Sequence, residues 1–129
     1  WIRIFQQAVP LLAQPPKLRK NNDKIKDLMI YVHQHYSEKL VISQLASAVF
    51  LSERECFRIF QECLHMTPMQ YLQYYRVERA LNEMQLTDKN VTEIALDAGF
   101  SAPEYFTRVF KKQKGIAPGQ YLSQLRARK

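Results

Sequence analysis

One pattern occurs twice in this chain. LASAVFLS at Leu45–Ser52 lies over IALDAGFS at Ile94–Ser101, RIF at Arg58–Phe60 over RVF at Arg108–Phe110, and MTPMQYL at Met66–Leu72 over IAPGQYL at Ile116–Leu122. Leu45 thereby matches Ile94, Phe60 matches Phe110, Pro68 matches Pro118 and Tyr71 matches Tyr121, a repeat of about 50 residues. Two copies are too few for a solenoid, which needs more repeats to bury a continuous core. They suit a supersecondary unit used twice.

The second copy shows what the unit is. Ile94, Ala95 and Ala98 form the apolar side of a short helix, and Gly99 breaks it, since glycine accepts the left-handed backbone that a helix end often requires. Ser101 is expected to cap a second helix, with Pro103 in its first turn and Gly115 at its end. Short helix, glycine turn and second helix make a helix-turn-helix, whose second helix can enter the major groove of DNA. At about 100° per residue, Phe106, Val109, Phe110 and Gln113 fall on one face of that second helix. Glu104, Arg108 and Lys111 recur on the opposite face, with Lys112 beside them. A forked guanidinium there can pair with guanine, and ammonium groups suit phosphate. From Arg108 onward the chain has Lys111, Lys112, Lys114, Arg126, Arg128 and Lys129 and no acidic residue.

Several of these residues also carry a resemblance. Arg76, Ala80, Ile94, Ala95, Gly99, Phe100, Ser101, Tyr105, Phe106, Arg108, Phe110, Lys111, Lys112, Gly115, Pro118 and Tyr121 together closely resemble the pattern of the DNA-binding domain of AraC/XylS-type bacterial transcription regulators. The resemblance runs from about Ile25 to Leu125. It implies sequence-specific binding of double-stranded DNA in transcription regulation. It also implies a sensory or dimerisation domain upstream, and a small-molecule effector acting only through that domain.

Composition agrees with an all-α protein: two helix-turn-helix subdomains joined by a long linker helix. The chain has 129 residues and only three glycines, and its long periodic segments contain few β-branched runs. A net charge of +7 favours an anionic partner, though charge alone does not separate DNA, RNA and a membrane surface. No apolar run reaches the roughly 20 residues that span a bilayer. Cys56 and Cys63 lie about 10 Å apart along one expected helix, too far for a disulfide within it, and reduced thiols suit the cytoplasm. Cys56, Cys63 and His65 match no standard zinc spacing, and His33 and His35 do not share a helix face, so no metal or cofactor is expected. No Ser-His-Asp set, glycine-rich phosphate loop or paired carboxylates point to an enzyme.

In chain order, residues 1–22 read as the end of an upstream domain plus a linker. Trp1, Ile4, Phe5, Ala8, Leu11 and Leu12 have helical spacing, and Pro15-Pro16 with the basic run after it suits a linker. The alternative for Trp1–Leu12 is an N-terminal helix packing on this same domain. Residues 23–129 are the DNA-binding domain, with Asp23 expected to cap a helix through about Ser37 that buries Ile25, Leu28, Met29, Val32 and Tyr36. The first helix-turn-helix covers about 41–65, with Ser43 and Ser52 as caps. The linker helix covers 67–86, and the second helix-turn-helix about 91–115. The linker spans roughly 30 Å, against about 34–36 Å between successive major-groove faces on one side of B-DNA. Two reading helices in adjacent groove segments are therefore expected.

The copies differ in three places. Phe50 replaces Gly99, His65 replaces Gly115, and Gln61-Glu62 replaces Lys111-Lys112. A left-handed His65 would cost about 1 kcal/mol more than glycine. Base reading is expected from Arg108 and Arg58, with Arg54, Glu104 and Tyr105 in support; phosphate contacts are expected from Ser52, Gln61, Ser101, Lys111 and Lys112. Arg76 and Arg79, on the linker, suit ion pairs with Glu78, Glu83 or Asp97 as well as they suit phosphate. The mixed acidic and basic face of the first unit also suits a protein partner such as RNA polymerase.

Overall fold

The computed structural model describes residues 16–128, and the expectations for Trp1–Leu12 and Lys129 lie outside them. Seven helices make up the described residues: α1 (Pro16–His35), α2 (Ile42–Ala48), α3 (Glu53–Leu64), α4 (Pro68–Leu86), α5 (Val91–Asp97), α6 (Pro103–Lys114) and α7 (Pro118–Ala127). No strand occurs among these residues. The chain divides into one unit with α1, α2 and α3 and another with the 35–40 segment, nearly all of α4, and α5 to α7.

In the first unit Ile25, Leu28, Met29 and Val32 of α1 are buried, as their spacing requires. The helix itself departs from expectation. It begins at Pro16, so the basic run before Asp23 is helical, and Asp23 is an interior residue rather than a cap. Proline at the first position suits a helix start, because the N–H it lacks would have had no partner there. α2 is not capped by Ser43, which lies inside it. Val41 precedes the helix, and the Gln44 side chain reaches back to accept from the Val41 N–H at 3.4 Å.

α3 begins as expected. The Ser52 hydroxyl accepts from the Glu55 N–H at 3.1 Å, and the Glu55 carboxylate accepts from the Ser52 N–H at 3.2 Å. That reciprocal pair satisfies two donors at the helix start. The helix ends at His65 with φ 57° and ψ 35°, the left-handed conformation expected there. Replacing His65 by glycine should therefore raise the urea midpoint of unfolding by about 0.5–1 kcal/mol in stability, at an unchanged slope. Phe50, in the turn between α2 and α3, is also left-handed at φ 60°. It is 91% exposed, so its side chain meets no obstruction.

The second unit closes around Val77, Ala80 and Met84 of α4, Ile94 and Ala95 of α5, Ala98 and Phe100 of the turn, Phe106 and Phe110 of α6, and Leu122 of α7. The rings of Phe100, Phe106 and Phe110 follow one another at 5.0 and 5.6 Å, and Tyr121 stands edge-on to Phe110 at 5.8 Å. Offset and edge contacts of this kind add to plain apolar burial. Asn90 caps α5, accepting from the Glu93 N–H at 2.8 Å. Gln113, expected on the inner face of α6, is exposed; the inner face ends at Phe110.

Ser101 does not cap α6. Ala102 holds that position and makes no side-chain cap bond. The reason lies in the repeat register. Leu45 to Ser52 align with Ile94 to Ser101, whereas Arg58 to Tyr71 align with Arg108 to Tyr121 one residue further on. The extra residue falls between turn and helix, so the structural partner of Ser52 is Ala102.

Candidate nucleic-acid interface

The two second helices, α3 and α6, have the same length and share two inner positions. Cys56 and Phe60 are buried in α3, Phe106 and Phe110 in α6. Their outer faces carry the candidate readers: Arg54, Arg58 and Gln61 are exposed on α3, and Glu104, Tyr105, Arg108, Lys111 and Lys112 on α6. Each helix thus unites, on one surface strip, the residues expected to act from it.

On α6 the Arg108 guanidinium lies over the Tyr105 ring, 5.5 Å from its centroid. The Tyr105 hydroxyl accepts from Gln73 Nε2 at 3.0 Å. α4 therefore steadies the ring on which the arginine rests. An exposed cation–ring contact contributes about 0.5–1 kcal/mol, enough to bias the guanidinium without tying up its donors. Two other basic residues of this region are engaged elsewhere. Lys114 pairs with Glu78 at 2.8 Å. Arg126 donates to the backbone oxygens of Thr87 (3.3 Å) and Lys89 (2.6 Å), so this part of the tail pins the loop before α5. Lys89 itself bridges Asp97 (2.7 Å) and Glu83 (3.4 Å), which raises its pKa above the ordinary lysine value.

On α3 Arg58 pairs with Glu62 at 3.3 Å, both side chains being well exposed. Such a pair one turn apart contributes only about 0.3–0.5 kcal/mol. A bidentate contact to guanine discriminates by about 1–3 kcal/mol, so a base would win the arginine from Glu62. Ser52 is differently placed. Its hydroxyl also donates to Glu55 at 3.1 Å, and Glu53 and Glu55 lie in the first turn. The start of α3 thus carries its own negative charge where a phosphate would need donors.

The cysteines are free thiols. Cys56 is buried and Cys63 half-buried, its Sγ 3.9 Å from Asn22 Oδ1. Burial, with Glu53 nearby, pushes the Cys56 thiol up to about 11; burial and Glu62 raise Cys63 against the pull of Arg58. Both shifts run away from the thiolate form. Among the described residues no cluster of three metal-ligating side chains occurs, and no helix is long and apolar enough to cross a membrane. Arg76 finds partners other than the carboxylates expected, whereas Glu83 is among the charges that act on Arg79. Arg76 is 7% exposed and donates to the Tyr36 and Glu38 backbone oxygens at 2.8 and 2.9 Å. Arg79 lies over the Tyr36 ring at 5.7 Å. Glu78 pairs with Lys114 and Asp97 with Lys89, while Glu83 lies near both Lys89 and Arg79.

Residues 45–124 match the family model described as a helix-turn-helix domain, spanning both copies of the unit. The chain belongs to the AraC-type helix-turn-helix family. This is a family of sequence-specific DNA-binding domains in transcription regulation. An uncharacterized HTH-type transcriptional regulator of Bacillus subtilis, YdeC, is 34% identical over 98 residues, covering 76% of this chain and 34% of that protein. A Staphylococcus aureus HTH-type regulator, SAS0078, is 35% identical over 101 residues, covering 78% of this chain and 14% of that protein. The chain thus spans about a third or less of these two relatives. Among solved structures, the DNA-binding domain of AdpA in complex with a target DNA superposes with a TM-score of 0.77 at 27% identity, over 82% of this chain and 96% of that one. An AraC-type regulator from Chromobacterium violaceum gives 0.76 at 25% identity, over 82% and 95%.

Within this AraC-type domain, three supporting residues escaped sequence reasoning. Glu62 stands four residues after Arg58, a spacing that does announce a pair. Gln73 beneath Tyr105 had no such signal, because the first copy has Glu55 at the place of Tyr105. Phe57, at the edge of the inner face that Ile59 and Phe60 occupy, is 43% exposed.

Proposed function

We propose that α3 and α6 each read one major-groove segment, so that one chain covers two adjacent segments of its operator. What supports this reading is the Arg58–Arg108 equivalence: both arginines stand at the same turn of equivalent helices, on the face away from the core. Arg54, Glu104 and Tyr105 assist base reading, the glutamate as an acceptor for cytosine N4. Lys111, Lys112, Gln61 and the chain at Ser101 contact phosphate; Ser52 would have to release Glu55 to join them.

Arg108→Ala should weaken binding to the preferred site by about 1–3 kcal/mol and blur one position of it. Lys111→Ala should weaken preferred and random DNA alike, and flatten the dependence of log K on log salt by about one. Fluorescence anisotropy on an enriched site and on random DNA, across a salt series, measures both. Equal losses on the two DNAs for both variants would defeat the assignment.

A second role for α3 as a protein contact is favoured by the exposed Glu53, Glu55 and Glu62 beside its arginines. RNA polymerase is the partner we propose for it, tested by pull-down with polymerase subunits in the absence of DNA. Residues 23–129 are proposed as the binding domain, with the upstream domain and any small-molecule effector site outside it. The cytoplasm is the compartment we propose for it, since a regulator of this kind has to reach chromosomal DNA.

A further inference from the structure

We infer that Phe57 reads a thymine methyl group in the segment bound by α3, an inference that rests on α3 reading DNA. The inner side of α3 is filled by Cys56, Ile59, Phe60 and Leu64, and Phe57 is left 43% exposed. At about 100° per residue it lies about 60° from Arg54 and about 40° from Gln61 around the helix. The ring therefore borders the polar strip that faces a groove. A single exposed apolar side chain needs no explanation by itself. This one adjoins the strip of α3 proposed to read bases. Among the base edges of the major groove, thymine alone presents a methyl group.

Two further observations point the same way. The matching residue of α6 is Thr107, whose hydroxyl donates to the Pro103 carbonyl at 3.0 Å. With that donor spent within the helix, its methyl is the part suited to the same task. Second, α3 carries Glu53, Glu55 and Glu62 and has Gln61-Glu62 where α6 has two lysines. It gains little from phosphate, so an uncharged contact that depends on sequence has more weight there than on α6.

The test uses the full chain and its enriched site, with each thymine replaced in turn by deoxyuridine, which removes only the methyl. One thymine in the α3 half-site should matter: its replacement should weaken wild-type binding roughly fourfold, the scale of one buried methyl or methylene group. The same replacement should leave Phe57→Ala unaffected, and the Phe57→Ala loss should be the same at every salt concentration. Phe57→Leu should restore part of the methyl dependence. Alanine is a good helix former, so folding should survive; thermal melting checks this, and the wild-type scan stands if it does not. A flat scan, or a methyl effect that persists in Phe57→Ala, overturns the inference while leaving an enriched half-site intact. Absence of any enriched α3 half-site overturns base reading by α3 and the inference with it.

Discussion

Gly99→Ala should remove about 3–5 kcal/mol of stability, the sum of left-handed strain and a steric clash. Gly99 has φ 99°, a value that side chains rarely adopt. A Cβ there would also press into the Tyr36 backbone oxygen, with Arg76 Nε 2.9 Å and Ser37 Cα 3.0 Å away. Two of those three neighbours are backbone and cannot swing aside. Gly115 supplies the control, because it is left-handed too, at φ 86°, with nothing within 4 Å of the added carbon. Gly115→Ala should cost only about 1 kcal/mol. Urea unfolding followed by circular dichroism measures both. Against a typical total of about 5–15 kcal/mol, the first change should leave the domain barely folded and the second should not. Equal losses would mean that backbone strain, and not the close approach of the 36–37 segment, governs Gly99.

The contrast between the two glycines shows how far the sequence carries. Both were legible as helix ends, as was the left-handed histidine at position 65, since a repeat displays equivalent positions side by side. The apolar positions of α1, α5 and α6 were legible from period alone, except at the edges of a stripe. Phe57 and Gln113 lie on such edges, where a rotation of one residue step decides between core and surface. Caps were less secure. Ser43 and Ser101 have the right chemistry one or two places from where it is used, because the one-residue shift between turn and α6 is visible only when both halves of the alignment are pressed at once. The candidate readers Arg58 and Arg108 were found by type and face. Their restraints divide differently: Glu62 is local and follows from spacing, whereas Gln73 reaches Tyr105 across 32 positions. No local pattern encodes that.

Arg76 is the other residue whose role was hidden, and its removal should be nearly as damaging. Its charge suggested carboxylate or phosphate, yet it is buried and spends two donors on backbone oxygens at 36 and 38, beside the Phe100 ring at 5.9 Å. Backbone carbonyls leave no mark in a sequence, so the pairing could not be foreseen. Burial pulls its pKa down from the ordinary value, but an arginine remains charged at any working pH. Arg76→Met keeps much of the stem and deletes both donors. It should cost about 3 kcal/mol, since hydrogen bonds to a charged group contribute about 1.5–3 kcal/mol each and part of the loss is recovered when the carbonyls find water. Arg76→Lys keeps the charge but not the planar fork, so it should recover no more than about half of that loss. The same guanidinium lies against the place where a Gly99 Cβ would go, so the two sites should couple. In the Arg76→Met background Gly99→Ala should cost about 0.5–2 kcal/mol less than in the wild type, with the remainder due to strain and the Tyr36 oxygen. Additive losses in a double-mutant cycle would show that the glycine and the arginine hold the 36–38 segment independently.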